Sequence, residues 1–175
     1  MITKTKLFVV TLAFLFNAGC AGKLEDTKEI YRVIFEKVEF PGDRIYLKSS
    51  VISPDTKITR QSDLEYYRAF KFINNSEVHE EGHFEGLKIR FVGEKELKAV
   101  FTNGCEQNWK NFHNKYPEAV TLFGVSHIGF SKDSRRAIVY LEGISGCSDS
   151  QGVLFNFEKT NGEWKVVDFV TLWTS

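Results

Sequence analysis

VTLFGVSHIGFSKDSRRAIVYLEGISGCSDSQGVLFNFEKTNGEWKVVDFVTLWTS, residues 120–175, is the stretch whose reading decides the fold. Its apolar residues recur with a period of two and turn residues interrupt them at regular intervals, the pattern of half-buried strands joined by hairpins. Four strands are expected, at Val120–Phe130, Ala137–Glu142, Val153–Lys159 and Trp164–Trp173. Lys132-Asp133-Ser134, the loop around Cys147 and Asn161-Gly162 separate them. Asn-Gly is a type I′ hairpin signal, because both central residues must tolerate positive φ. An antiparallel meander of about four strands follows.

Upstream the period changes. Ile30, Tyr31, Ile34, Phe35 and Val38 lie three and four apart and define one apolar face of a helix over Leu24–Phe40, which Pro41-Gly42 stops. Ile45-Tyr46-Leu47 and Val51-Ile52 read as short strand pieces. A second helix starts near Ser62, with Ser62 or Asp63 as cap and Leu64, Tyr67, Phe70 and Phe72 near one face. Leu87–Val92 reads as a strand, and Glu94–Phe101 and Glu106–Tyr116 as short helices. Trp109, Phe112 and Tyr116 fall at helical spacing in the second of these, and Pro117 closes it. Helices first and hairpins afterwards imply an α+β fold, with N-terminal helices packed on the C-terminal meander.

The bulk numbers agree with one domain, residues 21–175, behind a leader at 1–20. The chain has 175 residues, 42% hydrophobic and 26% charged, and 14% aromatic content suits a sheet core filled by large side chains. Basic and acidic groups balance at 23 each, so no general field would draw the protein onto nucleic acid. A nucleic-acid partner is not expected.

Lys4 and Lys6 precede an apolar run from Leu7 to Phe16, too short to span a bilayer and the right length for a signal peptide. Asn17-Ala18-Gly19-Cys20 then resembles a bacterial lipobox, with small residues before a cysteine. Asn17 stands where a lipobox carries an aliphatic residue, and ordinary cleavage near Ala18 to Ala21 is the alternative. Lipidation of Cys20 implies a membrane partner through the anchor. Ala21-Gly22 carries no Asp of the inner-membrane retention type, so the outer membrane, facing the periplasm, is the expected address; a periplasmic or secreted protein is the alternative. Either way Cys105 and Cys147 remain as an even pair in an oxidising compartment, and a disulfide between them is expected to stabilise by ~2–4 kcal/mol. Both cysteines read as loop residues.

From Trp109 onward the chain resembles a set of uncharacterised bacterial secreted proteins and lipoproteins. The resemblance rests on Trp109, Phe112, Tyr116-Pro117, Ser126-His127-Ile128-Gly129-Phe130, Ala137-Ile138-Val139-Tyr140, Glu158-Lys159, Gly162-Glu163-Trp164-Lys165-Val166 and Trp173-Thr174-Ser175. The Gly-x-Trp-x-Val hairpin is also similar to the last strands of nuclear transport factor two-like (cystatin-like) domains, which implies a cone-shaped α+β fold with a pocket. Neither resemblance implies catalytic residues.

His79-Glu80-Glu81-Gly82-His83 matches HExxH, in which two His one helical turn apart hold zinc and the Glu is the base toward zinc-bound water. A third His is expected six residues on, where Ile89 stands, and Gly82 and Gly86 discourage a helix. The plain reading of residues 79–86 is a solvated loop. Ser126 and His127 alternate on a strand and point to opposite faces, which rules out a nucleophile pair with Asp168. His127, Asn156 and Asp168 interrupt apolar stripes; they are either hydrogen-bonded core residues or the lining of a pocket mouth. No catalytic constellation or cofactor motif is coherent. The expectation is therefore a binding module for an envelope protein or small ligand, and the alternative a zinc-dependent hydrolase using His79, Glu80 and His83.

Overall fold

The structure is a computed structural model that describes residues 22–36, 44–50, 79 and 81–175. The leader with Cys20, Val38, the Pro41-Gly42 stop, Val51-Ile52, the helix expected from Ser62, and Glu80 lie outside the described residues. The described part begins with helical residues 22–36 (α1). Strands β1 (Ile45–Lys48) and β2 (Ile89–Val92) flank a 3-10 turn at Glu81–Phe84, and two helices follow, α2 (Glu94–Val100) and α3 (Cys105–Lys115). The rest is β: β3 (Leu122–Val125), β4 (Gly129–Phe130), β5 (Arg136–Ile144), β6 (Ser150–Thr160) and β7 (Glu163–Thr174).

The fold is α+β, with one seven-stranded, mostly antiparallel sheet in the order β2-β1-β3-β5-β6-β7 and β4 paired with β5 beside β3. Four strands was too few. The expected first strand breaks in two, and β1 and β2 join the sheet, β1 lying parallel to both β2 and β3. The break has a local cause: the Tyr140 N–H donates to Ser126 Oγ (2.9 Å), which in turn donates to the His127 carbonyl (2.8 Å). A side chain has replaced a ladder carbonyl, and the pleat is lost from Ser126 to Ile128. At the β6–β7 hairpin the expected turn is present, with Asn161 at φ 54° and Gly162 at φ 88° between the paired Thr160 and Glu163.

All the described helices precede the meander in the chain, but they cover both faces of the sheet and not one. On one face Ile45, Leu47, Phe123, Val125, Val139, Leu141, Phe157 and Trp164 form a core with Ile30, Tyr31, Ile34 and Phe35 of α1. On the other, Tyr46, Leu122 and Val92 cluster with Val100 of α2 and with Trp109, Phe112 and Tyr116 around α3. Alternation along the strands produces the two cores, and burial of each large side chain contributes about 1.5–3 kcal/mol. The α1 face is also pinned by polar contacts. Asp26 pairs with Lys159 and accepts from Trp164 Nε1 (3.0 Å), Glu29 accepts from the Trp164 N–H (3.0 Å), and Tyr31 Oη donates to the Ser126 carbonyl (2.8 Å).

Candidate functional site

Ser49, one residue beyond β1, accepts the backbone N–H of His79 (3.1 Å) and so ties this residue to the C-terminal end of the parallel strands. The chain then turns through Glu81–Phe84, and Phe84 drops into the α1 core, stacking on Tyr31 with ring centres 4.5 Å apart. Fixed at both ends, the His79 ring stands edge-on to Phe84 (5.4 Å) and to His127 (5.8 Å). His83 is half-buried beside Tyr31, 6.5 Å between ring centres. Three of the four histidines thus gather where β1 and β3 end, although they came from two unrelated readings of the sequence. His127 reaches this place on the side that Phe123 and Val125 face, as alternation along β3 expects.

His79 is 5% exposed and neither of its ring nitrogens has a hydrogen-bond partner. An imidazole always carries at least one donor or acceptor at each nitrogen, and leaving each buried costs about 1–3 kcal/mol. Burial is the main cause that lowers its pKa to about 4, and charge on His127 and His83 lowers it further. The Val125 carbonyl opposes this by its dipole, without a hydrogen bond of ordinary geometry. The ring is therefore neutral at pH 7, with a lone pair available. His113, by contrast, is satisfied: its Nδ1 lies 2.9 Å from the Ala119 carbonyl.

These positions correct two expectations. Residues 79–84 are not a solvated loop, since His79 and Phe84 are buried while only Glu81 and Gly82 of the described stretch face water freely. His79 is also outside any helix and His83 is in a 3-10 turn, so the α-helical face on which HExxH presents two ligands is not formed. Asn156 and Asp168 are register partners on β6 and β7, half-buried and exposed respectively. Asp168 does not continue the Trp164 and Val166 stripe: a register shift after Asn156 leaves Val167 unmatched and sends Asp168 and Val170 to the opposite face. The expected trio is thus divided, with His127 beside His79.

On the other face Cys105 and Cys147 stand at disulfide distance, Cα to Cα 5.8 Å. Cys147 is in a bend, as expected, but Cys105 is the first residue of α3 rather than a loop residue. The bridge fixes the start of α3 to the β5–β6 loop, itself closed by Thr121 and Ser145 hydroxyls 2.8 Å apart. Between α2, α3 and the sheet lies a cavity of about 300 Å³ walled by Leu97, Phe101, Trp109, Leu122 and Ile144, with Lys48 and Lys98 on its border. Lys48 is paired with Glu142 (2.6 Å) and Lys98 with Glu94 (3.0 Å), so both cations are already compensated. Sequence reasoning missed this groove. Trp109 reads as core by its helical spacing, and only the meeting of α2, α3, β1, β3 and β5 leaves space beside it.

A mixed seven-stranded sheet between helical layers, with a buried histidine group on one face and an apolar groove on the other, defines the class of domain. No protein-family model, no curated protein and no solved structure matches the chain.

Proposed function

We propose that this is an exported, lipid-anchored envelope protein, of the uncharacterised secreted and lipoprotein kind that its chain from Trp109 onward resembles, whose α+β domain binds a small apolar ligand and catalyses no reaction. The observation that carries this reading is the groove: about 300 Å³, apolar-walled, and the size of a small-molecule site. Its walls come from five elements of the fold, which favours a site formed before the ligand arrives. Compensated cations at the border favour an uncharged ligand over an acidic one.

Lipidation at Cys20 would place the anchor two positions ahead of residue 22, the first described residue of α1, and two residues reach at most about 7 Å. Near residue 22, Lys23 Nζ lies 5.7 Å from the Phe130 ring and Asp26 holds Lys159 and Trp164, so this part of α1 lies against β4 and the β6–β7 hairpin. An acylated Cys20 would hold this end of the sheet toward the periplasmic face of the outer membrane and leave the protein little tether. Among the described residues no helix is long and apolar enough to cross a membrane.

Titration of the exported protein with an uncharged apolar fluorophore tests the ligand reading. One saturable site is expected, abolished by Ile144→Lys with folding retained; binding unaffected by that change would overturn it. Labelling with a fatty-acid analogue tests the anchor, with loss expected in Cys20→Ser.

A further inference from the structure

We propose that His79 and His127 form a binding site for one transition-metal ion of the zinc and copper class, at the C-terminal ends of β1 and β3 and separate from the apolar groove. The first observation is the buried His79 ring with two unpartnered nitrogens. An apolar side chain of that size would pack as well and leave nothing unsatisfied, so the imidazole at this position answers a need that packing does not supply. The second is the neighbour. An imidazole bound at about 2.0–2.1 Å has its ring centre about 3 Å from the ion, so two rings on one ion have centres within about 6 Å of each other. The His79 and His127 centres are 5.8 Å apart, with the rings at 72° to one another.

Imidazole suits zinc and copper, whereas magnesium and calcium take oxygen ligands. His79 is held from both sides, by the Ser49 carbonyl on its backbone and by Phe84 on its ring. His127 is aimed by the hydrogen bonds of Ser126 to Tyr140 and to the His127 carbonyl. Two ligands so fixed lose little freedom on binding an ion. Among the described residues no three His, Cys, Asp or Glu side chains are gathered at metal-holding spacing; the proposed protein ligands are the two imidazoles, with water in the remaining positions. That makes it a reversible site of modest affinity, in contrast to the closed four-ligand sites that hold structural zinc.

The test is calorimetric titration of zinc chloride, and separately of a copper(II) salt, into the exported protein stripped with chelator and returned to neutral pH. One ion per chain is expected for the wild type and for His113→Ala, whose imidazole belongs to the Ala119 contact. His127→Ala should weaken binding about tenfold or more, and so should His79→Leu, with circular dichroism confirming that both fold. Should His79→Leu fail to fold, the half-buried His127→Ala decides alone. Absence of stoichiometric binding of either metal by the wild type, or wild-type affinity in His127→Ala, overturns the proposal.

Discussion

The two faces of the sheet are built from the same strands and solve the packing problem differently. Against α1 the interior is closed, with Trp164 locked by Asp26 and Glu29 and Tyr31 locked to Ser126, and it holds a buried histidine, His79, whose ring nitrogens have no partner. Against α2 and α3 the aromatic cluster is well packed around Phe112 but leaves an open groove beside Trp109, and covalent closure replaces the missing contacts. One long helix can lay a continuous stripe on a sheet, whereas two short helices of 7 and 11 residues meet it only where their turns touch. Space for a ligand belongs to the second arrangement and a buried polar site to the first.

Four variants and one titration would break or sharpen that contrast. Trp164→Ala should be the most damaging, costing about 3–5 kcal/mol in denaturant unfolding, because it opens a cavity and removes the indole N–H that Asp26 accepts. Cys105→Ser with Cys147→Ser should cost about 2–4 kcal/mol. Hydrogen exchange should then rise in α3 and the β5–β6 loop while α1 keeps its protection. Gly152→Ala comes next, at about 1–3 kcal/mol: a Cβ there would stand 2.2 Å from Trp173 Nε1 and 2.5 Å from Tyr140 Oη, within the hydrogen bond joining those two side chains.

That hydrogen bond lies on the groove side and has a pH signature. Burial pushes Tyr140 up to about 12 from 10.0, against the hydrogen bond from Trp173 that lowers it. The neutral phenol is the form the fold favours, so its contribution is intact below pH 10 and is lost as pH rises from there through about 12. Tyr31, also raised by burial, acts in the same direction on the α1 side. Ultraviolet titration of tyrosinate should show late ionisation coincident with unfolding; ordinary ionisation near pH 10 with the fold intact would contradict it. The smallest effect, and the only gain, is expected for His79→Leu, which should stabilise the metal-free protein by about 1–2 kcal/mol by removing unsatisfied buried nitrogens.

The meander was legible because its information is local. Alternation marks each strand and Asn161-Gly162 fixes the last hairpin, so β5, β6 and β7 were found, each somewhat longer than expected. The Ile30, Tyr31, Ile34 and Phe35 stripe was legible for the same reason. The four-residue strands β1 and β2 were recognised as pieces but not as sheet members, since parallel pairing is a long-range choice that a short apolar run does not encode. The register shift after Asn156 adds a step to an alternating pattern, and every face assigned beyond that step is inverted. Asp168 was misplaced in this way, whereas His127 lies on the α1 side with Phe123 and Val125, as expected. The pairing of His79 with His127 depends on β1 lying beside β3, which no spacing in the chain records.

Native mass spectrometry of the protein exported to the envelope and purified without organic extraction tests the central claim, a preformed apolar site on the α2 and α3 face, most directly. The account predicts a small-molecule adduct on the wild type that is absent from Ile144→Lys and still present on Trp164→Phe, a change confined to the other face. A bare wild-type chain that also takes up no apolar probe, or an adduct that survives Ile144→Lys, would contradict it.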